Sequence, residues 1–148
     1  MKITSRFTIA VHTLLCIAFF NPKYKVTSSF IASSVQVNPV IIRRILGQLK
    51  EAHLVAVEAG IGGASLLKPL EEITLQDVFN AVECTGDSFF HFHENPNPAC
   101  PIGHVIHDVL DPQLTSIQTA MEKQMQSITL ASLMASAQAQ IQKNSEHS

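Results

Sequence analysis

At 148 residues, 46% hydrophobic and 15% charged, the chain is long enough for one domain, or for one domain with an appended assembly element. The net charge of −2 conceals a division: residues 1–68 carry eight Lys/Arg against two Glu, net +6, and residues 69–148 carry two Lys against ten Asp/Glu, net −8. A basic half joined to an acidic half suits a reader of nucleic acid with a separate assembly half. Three cysteines at irregular spacing, Cys16, Cys84 and Cys100, exclude a disulfide framework and fit a reducing cytoplasm.

The first helix is expected from a cap at Thr4 or Ser5 to about Phe20, where Asn21-Pro22 stops it. Its apolar positions, Phe7, Ala10, Val11, Leu14, Leu15 and Ala18, form a broad face. Lys2 and Arg6 ahead of this run imitate a secretory signal. His12 in mid-run, the absence of a small-x-small site and the Leu14-Leu15 pair before Cys16 argue against a removed leader. The run is also too short to span a bilayer. His12 and Cys16 lie one turn apart, too few ligands for a metal, and a buried cysteine is usually a small hydrophobe.

Residues 27–51 carry the strongest local signal. Thr27 or Ser28 caps a short helix burying Phe30, Ile31 and Val35, and Gln36-Val37 makes a turn. Asn38 is a good N-cap and Pro39 suits the first helical position, where its missing N–H costs nothing. Ile42, Ile45, Leu46 and Leu49 then follow at i, i+3, i+4, i+7 as a core stripe. Arg43, Arg44, Gly47 and Lys50 fall outside it. Two adjacent arginines on the exposed face of the second helix of a helix-turn-helix suit the major groove of DNA. An ordinary α-hairpin with a solvated basic face is the plainer alternative.

Strands are expected over residues 53–58 and 65–68, joined by the glycine-rich tip Ala59-Gly60-Ile61-Gly62-Gly63-Ala64. This is a hairpin wing, whose glycines permit positive φ and close approach to a phosphate. As a nucleotide loop it is poor, having no P-loop Lys-Ser/Thr pair. Thr74 caps a helix that turns Leu75, Val78, Phe79 and Val82 inward and ends near Cys84. Residues 85–99 are irregular. A helical pattern resumes at Cys100-Pro101 with Ile102, Val105, Ile106, Val109 and Leu110. Asp111-Pro112 either kinks that helix or starts another. Leu110, Leu114, Ile117 and Met121 make a narrow seam of the kind that pairs helices. Thr129 caps a last helix with Leu130, Leu133, Met134, Ala137 and Ile141 on one side, and a polar tail starts at Lys143. The expected fold class is therefore mainly α with a small β-hairpin wing. The expected units are a winged helix-turn-helix domain over 1–84, a sensor or linker loop over 85–99, dimerisation helices over 100–142 and a tail over 143–148.

In this order the pieces SRFTIAVHTLL, LGQLKEAHLV, GIGGASLL, ITLQDVFNAVE and ITLASLM resemble the BadM/Rrf-two, or IscR-like, family of winged-helix regulators over nearly the whole chain. NPVIIRR and HENPNPACPIG look closest to its YwnA-like branch. The resemblance implies a homodimer clamped along the long C-terminal helix. It places the reader helices in successive major grooves of a double-stranded operator, with the wings in adjacent minor grooves. The DNA-facing residues expected on this basis are Ser5, Arg6, Thr27, Ser28, Asn38, Val40, Ile41, Arg43, Arg44, Gly47 and Lys50, with Gly60, Gly62 and Gly63 in the wing. The expected activity is transcriptional regulation, mostly repression, with no membrane partner.

Two departures stand out. Cluster-bearing members carry three cysteines ahead of the long helix, where this chain has only Cys100. A cluster needs about four thiolate-like ligands, so none is expected. Members also often carry an arginine before the first wing glycine, where this chain has Ala59. In place of the cluster stand His91, His93, Glu94, Cys100, His104 and His107, a candidate sensor segment. Its alternatives are a zinc or iron site, although the spacing fits no standard module, thiol oxidation at Cys100, or a small-molecule effector. An adaptor that no longer binds DNA is a further alternative. An enzyme built on Cys100 and a histidine is disfavoured, because no paired base or oxyanion donor set accompanies them.

Overall fold

The computed structural model describes residues 4–59, 63–83, 90 and 92–146. Helix α1 spans Ser5–Phe20, and Thr4 caps it by accepting a hydrogen bond from the Arg6 amide at 3.2 Å. The run that imitates a signal peptide is thus a core helix, with Ala10, Leu14 and Ile17 fully buried. Helix α2, Ser28–Val35, starts at Thr27, whose Oγ1 accepts from the Phe30 amide at 3.1 Å. It ends at Gln36, in the left-handed region at φ 64°. Helix α3, Pro39–Glu51, begins with Asn38 Oδ1 accepting from the Val40 amide at 2.9 Å. Its stripe of Ile42, Ile45, Leu46 and Leu49 is buried as the spacing predicts.

The wing is a two-stranded antiparallel hairpin of β1 (Val55–Glu58) and β2 (Gly63–Leu66), in the register Val55↔Leu66 to Glu58↔Gly63. Both strands differ from expectation at their starts. The first begins at Val55 rather than His53 because His53 takes φ 61°, and the His53 and Leu54 amides close the end of α3 on the Lys50 and Leu49 carbonyls. The second begins at Gly63 rather than Ser65. Its first residues lie against the α1–α2 connection, where the Ala64 amide donates to the Val26 carbonyl at 2.9 Å. Asn21 Nδ2 reaches the Ala64 carbonyl, also at 2.9 Å, and fixes the hairpin to the end of α1.

After a 3-10 turn at Leu70–Glu72, helix α4 (Leu75–Val82) opens with a capping box between Thr74 and Asp77. It buries Val78, Phe79 and Val82, together with Gln76, which the apolar pattern does not single out. Helix α5, Pro101–Gln126, runs without a break through Pro112. Proline removes one bond from the ladder, but Pro112 and Asp108, the residue whose carbonyl loses that partner, are both exposed and open to water. Of the two outcomes expected at Asp111-Pro112, the new helix does not occur. Helix α6, Leu130–Glu146, continues past Lys143, where a tail was expected. Its first turn belongs to the reader's core rather than to a separate assembly half. Leu130 is fully buried and joins the same core as the buried residues of α1, α3 and α4, with α6 packing on the 3-10 turn and on α1. The Leu130 amide donates to the Ile73 carbonyl at 2.8 Å, and the Leu75 amide donates to that of Ile128 at 2.9 Å.

Candidate nucleic-acid interface

Burial of the α3 stripe fixes which face of that helix is left outside. Val40, Ile41, Arg43, Arg44, Gly47 and Lys50 are all exposed. Arg43, Arg44 and Lys50 make no ion pair with any described residue. Their charge faces outward, although the carboxylates Glu58 and Glu51 line the grooves that flank the helix. The helix stands as a ridge between two grooves. One, of about 490 Å³, lies between α3 and the wing and is lined by Thr27, Ser28, Arg43, Lys50, Val57 and Ala59, among others. The second, of about 650 Å³, lies on the opposite flank and is lined by Ser5, Arg6, Val37, Ile41, Arg44 and Gln48, among others. Adjacent in sequence, Arg43 and Arg44 thus serve opposite flanks. A ridge with a basic edge on each side is the shape a duplex groove accepts.

Gly47 lines both grooves. A Cβ built there meets nothing within 4 Å, so no packing inside the chain requires a glycine in mid-helix. Gly63 is the opposite case. At φ 82°, an added Cβ would stand 3.2 Å from the Val26 backbone nitrogen and oxygen. Seating β2 on the α1–α2 connection therefore already requires a glycine at this position, whatever its backbone does toward DNA. Gly60 and Gly62 lie outside the described residues. Thr27 and Asn38 each commit a side-chain oxygen to capping. Arg6 is tied inward: its Nε donates to Thr4 Oγ1 at 3.4 Å, and its terminal nitrogen stands 4.0 Å from Glu83 Oε2. Sequence reasoning missed Glu83, because its partners lie 77 and 79 residues away and leave no local pattern.

The sensor residues are only partly gathered. The rings of His93 and His107 lie 4.9 Å apart, and His107 Nδ1 is 2.9 Å from Asp111 Oδ2. His104 and Glu94 are exposed without joining this pair, and His91 lies outside the described residues. Cys100 is the exposed residue before α5. The Gly103 and Ile102 backbone amides hold its thiol below the ordinary value, against a small opposing effect of desolvation. The preceding turn is pressed against the helix: a Cβ at Gly103 would meet the Asn97 carbonyl oxygen at 2.3 Å. Among the described residues, no three His, Cys, Asp or Glu side chains gather to hold a metal ion. One cysteine in this segment does not fit an iron–sulphur cluster.

The model of the Rrf2 family, described as iron-dependent transcriptional regulators, matches residues 3–136. The chain belongs to the Rrf2 family. Similar relatives include the candidate HTH-type transcriptional regulator YwnA of Bacillus subtilis strain 168. It is 41% identical over 132 residues, which cover 89% of this chain and 96% of the relative. A crystal structure described as a candidate DNA-binding protein is 36% identical with a TM-score of 0.69, covering 88% of this chain and 99% of that one. The fold is shared more widely. CymR, the global cysteine regulator of B. subtilis, superposes with a TM-score of 0.67 at 20% identity, over 91% of this chain and 97% of its own. The protein is thus a winged helix-turn-helix, DNA-binding transcriptional regulator of the Rrf2 family. Its relatives are regulators rather than enzymes, and among the described residues no helix is long and apolar enough to cross a membrane.

Proposed function

We propose that this Rrf2 regulator is a homodimeric, sequence-specific repressor that acts in the cytoplasm on a double-stranded operator and works without an iron–sulphur cluster. The observation that carries the reading is the outer face of α3, where Arg43, Arg44 and Lys50 stand exposed between two open grooves. Guanidinium groups so placed can fork onto a guanine edge or hold a phosphate. Dimerisation is supported by α5, 26 residues long and with none of them buried. Its apolar residues Leu110 and Ile117 are 39% and 49% exposed. The test is a titration of the promoter beside the protein's own gene, compared with a scrambled duplex. Tight, sequence-selective binding that Arg43→Ala/Arg44→Ala abolishes supports the reading. Equal binding by the folded double variant sinks it.

A second reading concerns the signal. Cys100 is exposed, and the amides of the first α5 turn favour its thiolate, the reactive form of a cysteine. On this reading the output is DNA binding and the input is an oxidant. Cys100→Ser then binds the operator normally but no longer responds to peroxide. Loss of the response in neither Cys100→Ser nor a His93/His107 double variant leaves a small-molecule effector, or none.

A further inference from the structure

Arg6 and Arg44 line the same groove beside α3, yet their surroundings differ. Arg44 makes no ion pair with a described residue, although Glu51 lines the same groove. Arg6 has a counter-charge that is nearly buried: Glu83, whose side chain is 8% exposed while that of Arg6 is 50% exposed. Glu83 does not depend on Arg6 to stay there. Its Oε1 accepts hydrogen bonds from both the Thr4 amide and the Thr4 hydroxyl. The carboxylate is therefore anchored at the start of α1, where a negative charge also suits the helix dipole. The guanidinium lies within reach of it, at 4.0 Å, and is tied a second time through Nε to Thr4 Oγ1 at 3.4 Å.

We propose that Glu83 is a built-in counter-charge that withholds Arg6 from the DNA backbone. The contribution of Arg6 to operator affinity is then set by where α4 holds Glu83 against the start of α1. The inference rests on the proposed DNA-facing role of α3. To hold a phosphate, Arg6 must leave a poorly solvated carboxylate that remains behind, and that cost offsets the new contact. Glu83 is the residue that closes α4, and α4 packs against the long helix α5. A rearrangement of α5 that shifts α4 thereby changes the charge presented beside the recognition helix. A purely structural Glu83, serving only as a second cap for α1, would affect stability and leave the electrostatics of DNA binding alone.

The experiment is the salt dependence of binding to one fixed operator duplex, for the full chain and for Arg6→Gln, Glu83→Gln and the double variant. Glutamine keeps an oxygen for Thr4 and removes only the charge. Each phosphate engaged contributes a slope of about 0.9 in log K against log salt. Arg6→Gln alone should change the slope little and the affinity less than about twofold, the scale of a weak exposed ion pair. Glu83→Gln should bind about three- to tenfold tighter with a slope steeper by about 0.9, and the double variant should return to the Arg6→Gln values. A full loss of slope in Arg6→Gln overturns the proposal, since Arg6 would already hold a phosphate. So does unchanged binding by Glu83→Gln, or tightening that persists without Arg6. Circular dichroism melting reports folding. Should Glu83→Gln fail to fold, the slope of Arg6→Gln, altered only at an exposed side chain, still decides. The Arg43→Ala/Arg44→Ala variant on the same duplex tests the underlying reading separately.

Discussion

Gly47 sits in the middle of α3, where glycine is a poor choice for the helix. Relative to alanine it costs about 1 kcal/mol, and nothing inside the chain would meet an added methyl group. The cost has an explanation if something outside the chain approaches the helix closely between the two grooves. Gly47→Ala should therefore raise the unfolding free energy by about 0.5–1 kcal/mol while weakening operator binding. Chemical denaturation and a binding titration on the same preparation check both halves. Stabilisation with unaltered affinity would mean that the glycine serves no contact. The arginines beside it make a graded test. Arg43→Ala or Arg44→Ala should each cost about 1–3 kcal/mol of specific binding if the side chain reads a base. If it holds a phosphate instead, the loss should be similar on every duplex and the salt slope should flatten. Cys100 differs from the buried Cys16 in the same way that its surroundings do. With a lowered pKa, its thiolate fraction survives to lower pH. Peptide mapping after brief alkylation near neutral pH should find Cys100 labelled well ahead of Cys16.

At the scale of elements, what the sequence displays is what neighbouring residues decide among themselves. Asn38 and Thr74 are read as caps and act as caps, and of the pairs Thr4 or Ser5 and Thr27 or Ser28 the first of each does so, because a cap is a bond to an amide two or three residues ahead. The α3 stripe is legible for the same reason, its period being that of the helix itself. The errors fall where a distant segment decides. Strand β2 starts at Gly63 because Val26, 37 positions earlier, offers it a carbonyl. At Pro112, where the pattern left a kink or a new helix open, α5 continues, since the Asp108 carbonyl that loses its partner belongs to an exposed residue. The Arg6–Glu83 pair and the burial of Gln76 leave no periodic trace. Helix α6 is the largest case: its apolar side was legible, but not the core that it joins. Leu130 is fully buried against the reader. Leu130→Ala should consequently destabilise the winged domain itself by about 2–5 kcal/mol, as expected for a core leucine. A denaturant midpoint that falls for the whole transition supports this. A separate early transition confined to the C-terminal helices would count against it.

For the whole molecule the decisive feature is α5, about 39 Å long by helical rise and without a single buried residue. The helix packs on α4, yet leaves Ile102, Val109 and Ile117 exposed at 67%, 60% and 49%. A row of large apolar side chains along a long helix is costly to leave in water, at about 25 cal/mol for each Å² of apolar surface. A second copy related by a two-fold axis covers the same row on both chains at once. The seam of Leu110, Leu114, Ile117 and Met121 is narrow, so a charge at its middle has little room to turn outward. Ile117→Glu places two carboxylates near the axis of such a pair. The expected result is a folded monomer by sedimentation at concentrations where the parent is dimeric, since Ile117 supports no core within its own chain. Operator affinity should fall steeply with it, because one reader makes half the phosphate contacts and the salt slope halves accordingly. A variant that stays dimeric would place the two-fold axis elsewhere, and Phe19, exposed at 45% on α1, marks the next face to mutate.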